Sequence, residues 1–188
     1  MAQSKDNVLT HGMSGKLGNL VVFRRRGSKI IVAKKPKAKT FISLAQKQVN
    51  DKFQLASIYA LAAIADTAPY HALYAAKAGD GISAYNVAVA DYFNAPEIHD
   101  IDIDAYTGAI GSKIQIKVTD DIMVKTVKIS ITNSNGTLVE DGFAVQDADG
   151  LHWTYTATQA NAPLSGDKVT ATATDLPANM TVLDKLLP

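Results

Sequence analysis

Two short apolar runs near the N-terminus stand on either side of a polar turn. Residues 20–22 and 30–32 consist of leucine, isoleucine and valine, and residues 26–29 between them read Arg-Gly-Ser-Lys. β-Branched runs favour strands, and Gly27 can adopt the positive φ that a tight turn requires. The pattern predicts a β-hairpin. Since apolar residues occupy consecutive positions, we expect both faces to need cover from a helix or a neighbouring chain.

A helical period follows the hairpin. Pro36 and the lysines around it form a linker, and Thr40 or Ser43 is a suitable N-cap for the first helix. The apolar positions recur at every third or fourth residue, as in an amphipathic helix. They are Ile42, Ala45, Val49, Phe53, Ala56, Ala60 and Ile64.

Two shorter helices are expected before residue 96. Thr67 is a candidate cap for a second helix, which carries Pro69 in its first turn and stops near Gly79. Ser83 is a candidate start for a third helix over residues 84–93. A strand over residues 82–89 is the alternative for this last segment.

Beyond Pro96 the chain changes to an alternation of apolar and polar residues. Period-two alternation predicts half-buried strands, and turn sequences at 133–136 and 147–150 separate the later ones. About seven short strands in roughly 90 residues are typical of an antiparallel β-sandwich. The alternating apolar residues include Ile101, Ile103, Ile114, Ile116, Val118, Val127, Ile129 and Ile131.

Several stretches of this half carry a family resemblance. They are TVKISI at 126–131, NGTLVEDG at 135–142, WTY at 153–155, VTATATD at 169–175 and NMT at 179–181. Together they resemble a bacterial immunoglobulin-like domain, whose final strands often read valine, a small residue, Ala-x-Asp and then Asn-x-Thr. The resemblance implies an immunoglobulin-like sandwich and no particular activity.

The N-terminal segment carries a second, shorter resemblance. Residues 15–27 read GKLGNLVVFRRRG. This is similar to the GKxGNxVxxxxxG start of a family of uncharacterised Bacteroidetes and phage-associated proteins. That family brings no active site to this chain.

These patterns predict an α+β chain of three parts. A basic β-hairpin arm covers residues 1–39, a helical segment of two to three helices covers 40–95, and an antiparallel immunoglobulin-like β-sandwich covers 96–188. The net charge of +1 hides a division between these parts. The arm carries +9 and the sandwich segment −7, so we expect an acidic partner for the arm or contact between the two ends of like chains.

The basic hairpin is the strongest candidate for a binding site. A two-stranded ribbon with many cations can contact phosphates, and such contacts weaken as salt rises. Alternation along a strand places only part of a set on one face, and charged edges also protect sheets from aggregation. The candidate binding residues are Arg24, Arg25, Arg26, Lys29, Lys34 and Lys35.

Residues for catalysis or metal binding are not apparent in the sequence. The chain has no cysteine, and its four histidines, His11, His71, His99 and His152, lack the spacing of a zinc site. No nucleophile elbow or phosphate-binding loop is present. We therefore expect no catalytic residue, no metal and no cofactor.

Aspartates cluster at three places in the C-terminal half. Loop ends of sandwiches sometimes bind calcium through such oxygens, but polar strand faces and ordinary turns are the simpler interpretation. The clusters are Asp100, Asp102 and Asp104; Asp120 and Asp121; and Asp147, Asp149 and Asp175.

These observations favour a non-enzymatic structural or interaction protein, with a phage or prophage assembly component as the specific hypothesis. Its expected partner is a second copy or another protein. The alternative is a sequence-independent nucleic-acid-binding protein that uses the basic hairpin. No apolar run has the length of a signal peptide core or a membrane span, so we expect a protein of the cytoplasm or of a virion, without membrane contact.

Overall fold

The computed structural model describes the backbone of residues 2–4 and all of residues 12–36 and 41–188. Within these residues the fold is α+β, with three helices and three antiparallel sheets. The chain divides into two compact units, Met1–Ala90 and Asp91–Pro188. The basic arm and the helical segment, expected as separate parts at 1–39 and 40–95, thus lie largely within one unit.

The first unit contains a four-stranded sheet. The predicted hairpin is present as β3 (Val21–Arg26) and β4 (Lys29–Lys34), joined at Gly27 and Ser28. Two strands that the pattern did not predict flank it, β1 (Ala2–Ser4) beside β4 and β2 (Gly15–Leu17) beside β3. Strands of three residues are too short to show a period, which explains why the sequence did not reveal them.

The helices of this segment are α1 (Leu44–Ala63), α2 (His71–Lys77) and α3 (Ala84–Phe93). Ser43 caps α1 through a capping box with Gln46, and Thr40 lies outside the described residues. The Ser83 hydroxyl accepts a hydrogen bond from the Asn86 amide at 3.3 Å at the start of α3. The helical prediction for this segment is therefore confirmed over the strand alternative.

The predicted start of the second helix is wrong. It begins at His71, not near Thr67, and the residue before it, Tyr70, makes no side-chain capping hydrogen bond. The His71 amide donates to the Ala68 carbonyl at 3.2 Å in a turn that precedes the helix. The residue before a proline disfavours the helical region, so Pro69 keeps this stretch out of the helix.

The second unit contains two four-stranded antiparallel sheets, with strand orders β5-β6-β10-β9 and β12-β11-β7-β8. Their strands are β5 (Glu97–Asp102), β6 (Lys113–Thr119), β7 (Val124–Thr132), β8 (Leu138–Phe143), β9 (Val145–Gln146), β10 (His152–Thr156), β11 (Lys168–Asp175) and β12 (Met180–Leu186).

Both sheets contribute to one hydrophobic core, which makes the fold compatible with the predicted β-sandwich. Alternate residues of β6, β7 and β11 point into it, as the period-two pattern predicts. The alternation of Asp100, Asp102 and Asp104 with isoleucines predicts the polar face of one strand. β5 ends at Asp102, however, and Asp104 lies in the following turn. Members of the core include Ile101, Ile114, Ile116, Val127, Ile129, Ile131, Trp153, Tyr155 and Val169.

No helix among the described residues combines the length and the apolarity that a membrane crossing needs.

Candidate functional site

The long helix α1 exposes an unusual amount of apolar surface. Every residue from 44 to 55 is exposed, and Leu44, Val49 and Ile58 are 74%, 62% and 66% exposed. Only Ala56 and Ala60 of this helix are buried. These three side chains point to different sides of the helix, so α1 exposes apolar surface on more than one side. Apolar surface exposed in this amount is typical of an interaction surface.

Contacts within the first unit hold the C-terminal part of α1. The hydroxyl groups of Tyr59 on α1 and Tyr74 on α2 lie 2.5 Å apart, and their rings meet edge to face. Most helical stability in proteins comes from packing of an apolar face, because a short helix alone is marginal in water. Residues 44–55 therefore form the candidate functional surface, and we call it the α1 surface.

The basic hairpin is exposed as expected, but its cations do not share one face. Arg24 and Arg26 alternate with Arg25 along β3, so they point to the opposite side of the sheet. Cross-strand pairing places Lys29 opposite Arg26 and Lys34 opposite Val21. Arg26 and Lys29 thus lie on one face, and Arg25 and Lys34 on the other.

The tip of the hairpin is held by the loop before α3. The Arg26 Nε donates to the Gly81 carbonyl at 3.0 Å. The amide and hydroxyl of Ser28 donate to the two carboxylate oxygens of Asp80 at 3.0 and 2.8 Å. Lys35 donates instead to the Asn19 side chain at 2.8 Å. The hairpin is therefore a fixed part of the first unit, not a detached arm.

A cavity of about 900 Å³ lies between the hairpin and this loop. Its lining includes Arg24, Arg25, Arg26 and Lys34 from the predicted basic set. No aspartate or glutamate lines it within the described part of the chain. Since Arg24 and Arg26 lie on one face of the sheet and Arg25 and Lys34 on the other, only part of this basic set can direct its charge into the cavity.

The second unit brings together three aspartates that are far apart in the sequence. Oxygens of Asp91, Asp120 and Asp175 all lie within 4.8 Å of one another. Asp91 and Asp175 are buried, and Asp120 is half-buried. The sequence analysis grouped Asp120 with Asp121, and Asp175 with Asp147 and Asp149. It did not indicate Asp91 as a candidate ligand, because Asp91 has no acidic neighbour in the sequence.

Hydrogen bonds occupy much of this aspartate cluster. The amide of Asn179 and its side-chain Nδ2 donate to the two oxygens of Asp175 at 2.6 and 2.7 Å. Asp120 Oδ2 accepts from the amides of Ile122 and Met123 at 3.1 and 2.9 Å. Three carboxylates this close can share a proton or hold a cation, and calcium takes six to eight oxygens.

Burial raises the pKa of Asp175 above its ordinary 3.8; hydrogen bonds from Asn179 oppose the shift, and the charge of Asp120 adds to it. The folded chain therefore holds this proton to a higher pH than the unfolded chain does. The stabilisation from protonated Asp175 is complete below pH 3.8 and is lost as the pH rises through the raised pKa.

Asp120→Asn is expected to raise the free energy of unfolding at neutral pH, by on the order of 1 kcal/mol. The amide oxygen can still accept the two backbone bonds, while the charge that opposes ionisation of Asp175 is gone. The gain should shrink as the pH falls through the raised pKa of Asp175, because the protonated carboxyl no longer repels the charge of Asp120. Urea unfolding followed by fluorescence of Trp153, the single tryptophan, measures it across a pH series.

The exposed Asp104→Asn removes the same charge away from the cluster and serves as the control. It should leave stability almost unchanged at every pH. A gain for Asp120→Asn of equal size at all pH values would contradict the assignment to Asp175.

The histidines do not join a metal site within the described residues, and His11 lies outside them. His152 Nδ1 lies 2.5 Å from Asp149 Oδ2, and this contact lowers the pKa of the Asp149 carboxyl. His99 Nε2 lies 2.6 Å from the Thr119 hydroxyl. Both histidines thus have structural partners in strands and turns. Trp153 is 6% exposed and belongs to the core, so it is not a surface platform for a sugar.

The chain was compared with protein families, curated proteins and solved structures. No family model and no curated protein matches it. Among solved structures, it is similar to an engineered protein whose crystal structure was determined at 1.98 Å, with 17% identity and a TM-score of 0.35. The match covers 57% of this chain and 26% of the engineered protein. The chain thus spans about a quarter of that protein's length, and a likeness at this level shows neither a family nor a function.

Proposed function

We propose that the protein is a non-enzymatic structural or interaction protein that binds other protein chains through the α1 surface. The observation that carries the proposal is the exposure of every residue from 44 to 55, including Leu44, Val49 and Leu55. Burying such side chains against a partner is favourable by roughly 25 cal/mol for each Å² of apolar surface removed from water. The capping box at Ser43 begins the helix just before its exposed part.

The second unit is proposed to be an immunoglobulin-like sandwich. Counted from β5, one sheet holds its first, second, sixth and fifth strands, and the other holds the eighth, seventh, third and fourth. Immunoglobulin domains have A, B, E and D in one sheet and G, F and C in the other. The eight strands of this unit follow that order when β8 is counted as an additional strand after C. This architecture hosts many binding functions and supports an interaction role without naming the partner.

A second candidate function is nucleic-acid binding by the basic hairpin. The specific observation in its favour is the cavity lined by three arginines and Lys34 without an acidic residue among the described ones. The division of the arginines between two faces limits how many can reach one phosphate backbone at a time. For this reason we place protein association first.

Light scattering behind size exclusion tests the proposal on the full chain. We expect defined oligomers for the wild type and loss of these oligomers for Val49→Glu, which places a charge in the α1 surface. Gln54→Glu is the matched control, because it adds the same charge on another side of α1. It should leave the oligomers intact.

The same experiment distinguishes the second candidate. A wild type that is monomeric alone and shifts only with added DNA, less at high salt, would favour the basic hairpin and reject the α1 surface. Oligomers that survive Val49→Glu would also contradict the proposal.

A further inference from the structure

The cavity beside the basic hairpin has apolar side chains from one face of the sheet in its lining. Val22 of β3 lies opposite Ala33 of β4, and Val22 is only 8% exposed. Two residues further along β3, Arg24 lies opposite Ile31. Residues that pair directly share a face of an antiparallel sheet, and all four of these line the cavity. The cavity therefore lies over the face of the sheet that carries Arg24.

The loop before α3 and the first turn of that helix form another part of the cavity wall. Ile82 adds an apolar side chain that is 46% exposed, and Ser83 and Asn86 add polar groups beside it. The N-terminus of a helix also carries partial positive charge. Apolar walls with a few convergent polar groups are typical of a small-molecule site. The volume of about 900 Å³ is large enough for a ligand with more than a charged group.

Arg24 supplies the positive charge that this cavity can offer to a ligand. It makes no hydrogen bond or ion pair within the described part of the chain. Arg26 lies on the same face, but its Nε already donates to the Gly81 carbonyl at 3.0 Å. Arg25 and Lys34 also border the cavity, but their side chains belong to the other face of the sheet. One guanidinium therefore keeps all of its donors for a ligand.

A single guanidinium beside an apolar wall favours one kind of anion. The planar fork of Arg24 fits a carboxylate, which can accept two parallel hydrogen bonds from it. A nucleic-acid backbone needs a series of cations instead, one for each phosphate that is neutralised. Val22 and Ile31 offer no hydrogen bond, and they gain from contact with an apolar group through the hydrophobic effect. The ligand should thus combine one carboxylate with an apolar body.

We infer that this cavity binds an organic carboxylate with an apolar body, with the carboxylate on Arg24 and the body against Val22, Ile31 and Ala33. All the lining residues belong to the first unit, and none of them lies in the α1 surface. The inference therefore goes beyond the proposed function and does not depend on it.

Isothermal titration calorimetry of the full chain with 2-naphthoate tests this inference. The probe carries one carboxylate on an apolar double ring, and we expect saturable binding of one molecule per chain. Acetate lacks the apolar body, and 2-naphthalenemethanol lacks the charge. Each keeps only one of the two interactions, so each should bind about tenfold more weakly or less.

Two variants that remove one positive charge each assign the carboxylate to its partner. Arg24→Gln should weaken binding of 2-naphthoate about tenfold, because a charge-assisted pair is lost. Lys16→Gln is the matched control, since Lys16 is exposed on the neighbouring strand β2 and does not line the cavity. It should change the affinity by less than about twofold, because solvent and salt screen a distant surface charge.

Amide chemical shifts in ¹H–¹⁵N spectra show where the probe binds and whether each variant keeps the fold. We expect 2-naphthoate to shift the amides of Gly81, Ile82 and Asn86. Shifts confined to residues 44–55 would assign the probe to the α1 surface and overturn the inference.

Three further results would also overturn it. One is an equal loss of affinity in Arg24→Gln and Lys16→Gln, which would indicate attraction by net charge alone. Another is the absence of saturable binding for both 2-naphthoate and the straight-chain decanoate. The third is binding of inorganic phosphate or DNA that Arg24→Gln weakens while both carboxylates bind no better than acetate, which would favour the nucleic-acid candidate.

Discussion

Replacing Glu140 by alanine is expected to lower the free energy of unfolding of the second unit by about 3 kcal/mol. Glu140 is only 5% exposed. Its Oε2 accepts hydrogen bonds from the Tyr155 hydroxyl at 2.9 Å, from the Thr158 amide at 2.8 Å and hydroxyl at 2.7 Å, and from the Gln159 amide at 3.2 Å. One buried carboxylate thus joins β8, β10 and the segment that follows β10.

The cost arises mainly at Tyr155. This residue is 3% exposed, so its hydroxyl has no access to water when the carboxylate is removed. An unsatisfied buried donor costs its full desolvation penalty. Burial, and next the hydrogen bond to Glu140, raise the pKa of Tyr155 to about 12. Ultraviolet titration of Glu140→Gln should therefore show a lower pKa for this tyrosine.

Urea unfolding followed by Trp153 fluorescence measures the loss of stability, and two further variants identify its cause. Asp141→Ala, the neighbour on β8, removes an exposed carboxylate paired with Lys128 and should cost less than 1 kcal/mol, as for ordinary surface ion pairs. Tyr155→Phe in the Glu140→Ala background should cost less than Tyr155→Phe in the wild type. Equal losses for Glu140→Ala and Asp141→Ala would show that the buried network does not stabilise this unit.

Gly27→Ala is expected to loosen the basic hairpin by about 2 kcal/mol. Gly27 has a φ of +57°, and a Cβ there would overlap Asp80 Oδ1. Asp80 must then move, and its hydrogen bonds to Ser28 are lost. The substitution therefore combines backbone strain with release of the turn from the loop that holds it.

Gly18→Ala is the matched control for this prediction. Gly18 has the same φ of +57°, but a Cβ there meets no atom of the described residues within 4 Å. Gly18→Ala therefore introduces only the backbone strain and should lower the stability of the hairpin by on the order of 1 kcal/mol. Hydrogen exchange of the amides of β3 and β4 measures the difference, because each 1.4 kcal/mol corresponds to roughly tenfold faster exchange. Equal exchange in the two variants would mean that the contact with Asp80 does not hold the hairpin.

Most of the secondary structure could be predicted because its signals lie within a few residues. Gly27 between two apolar runs marks the hairpin, and Ser43 with the apolar series from Ile42 marks α1. The alternating isoleucines predict β6 and β7 because neighbouring side chains in a strand face opposite ways. The prediction of where α2 begins was wrong, because Pro69 favours a turn before the helix and Thr67 does not cap it.

The candidate sites were less predictable, since they depend on residues brought together from afar. The six basic residues of the hairpin could be named, but strand register decides that Arg24 and Arg25 face opposite ways. The contact between Asp80 and Ser28 joins positions 52 residues apart. The cluster of Asp91, Asp120 and Asp175 spans three separate segments, each of which has the appearance of ordinary polar sequence.

The sequence by itself determined the hairpin of β3 and β4, the helix α1, the alternating strands of the second unit, and the separation of a basic N-terminal from an acidic C-terminal segment. These are properties of neighbouring residues or of simple counts. The tertiary structure alone decided that α1 keeps residues 44–55 exposed while Ala56 and Ala60 are buried. The hydrophobic effect is non-directional, so burial of an apolar helical face by its own unit and burial by another chain are similarly favourable. The sequence of such a face is therefore the same in both cases.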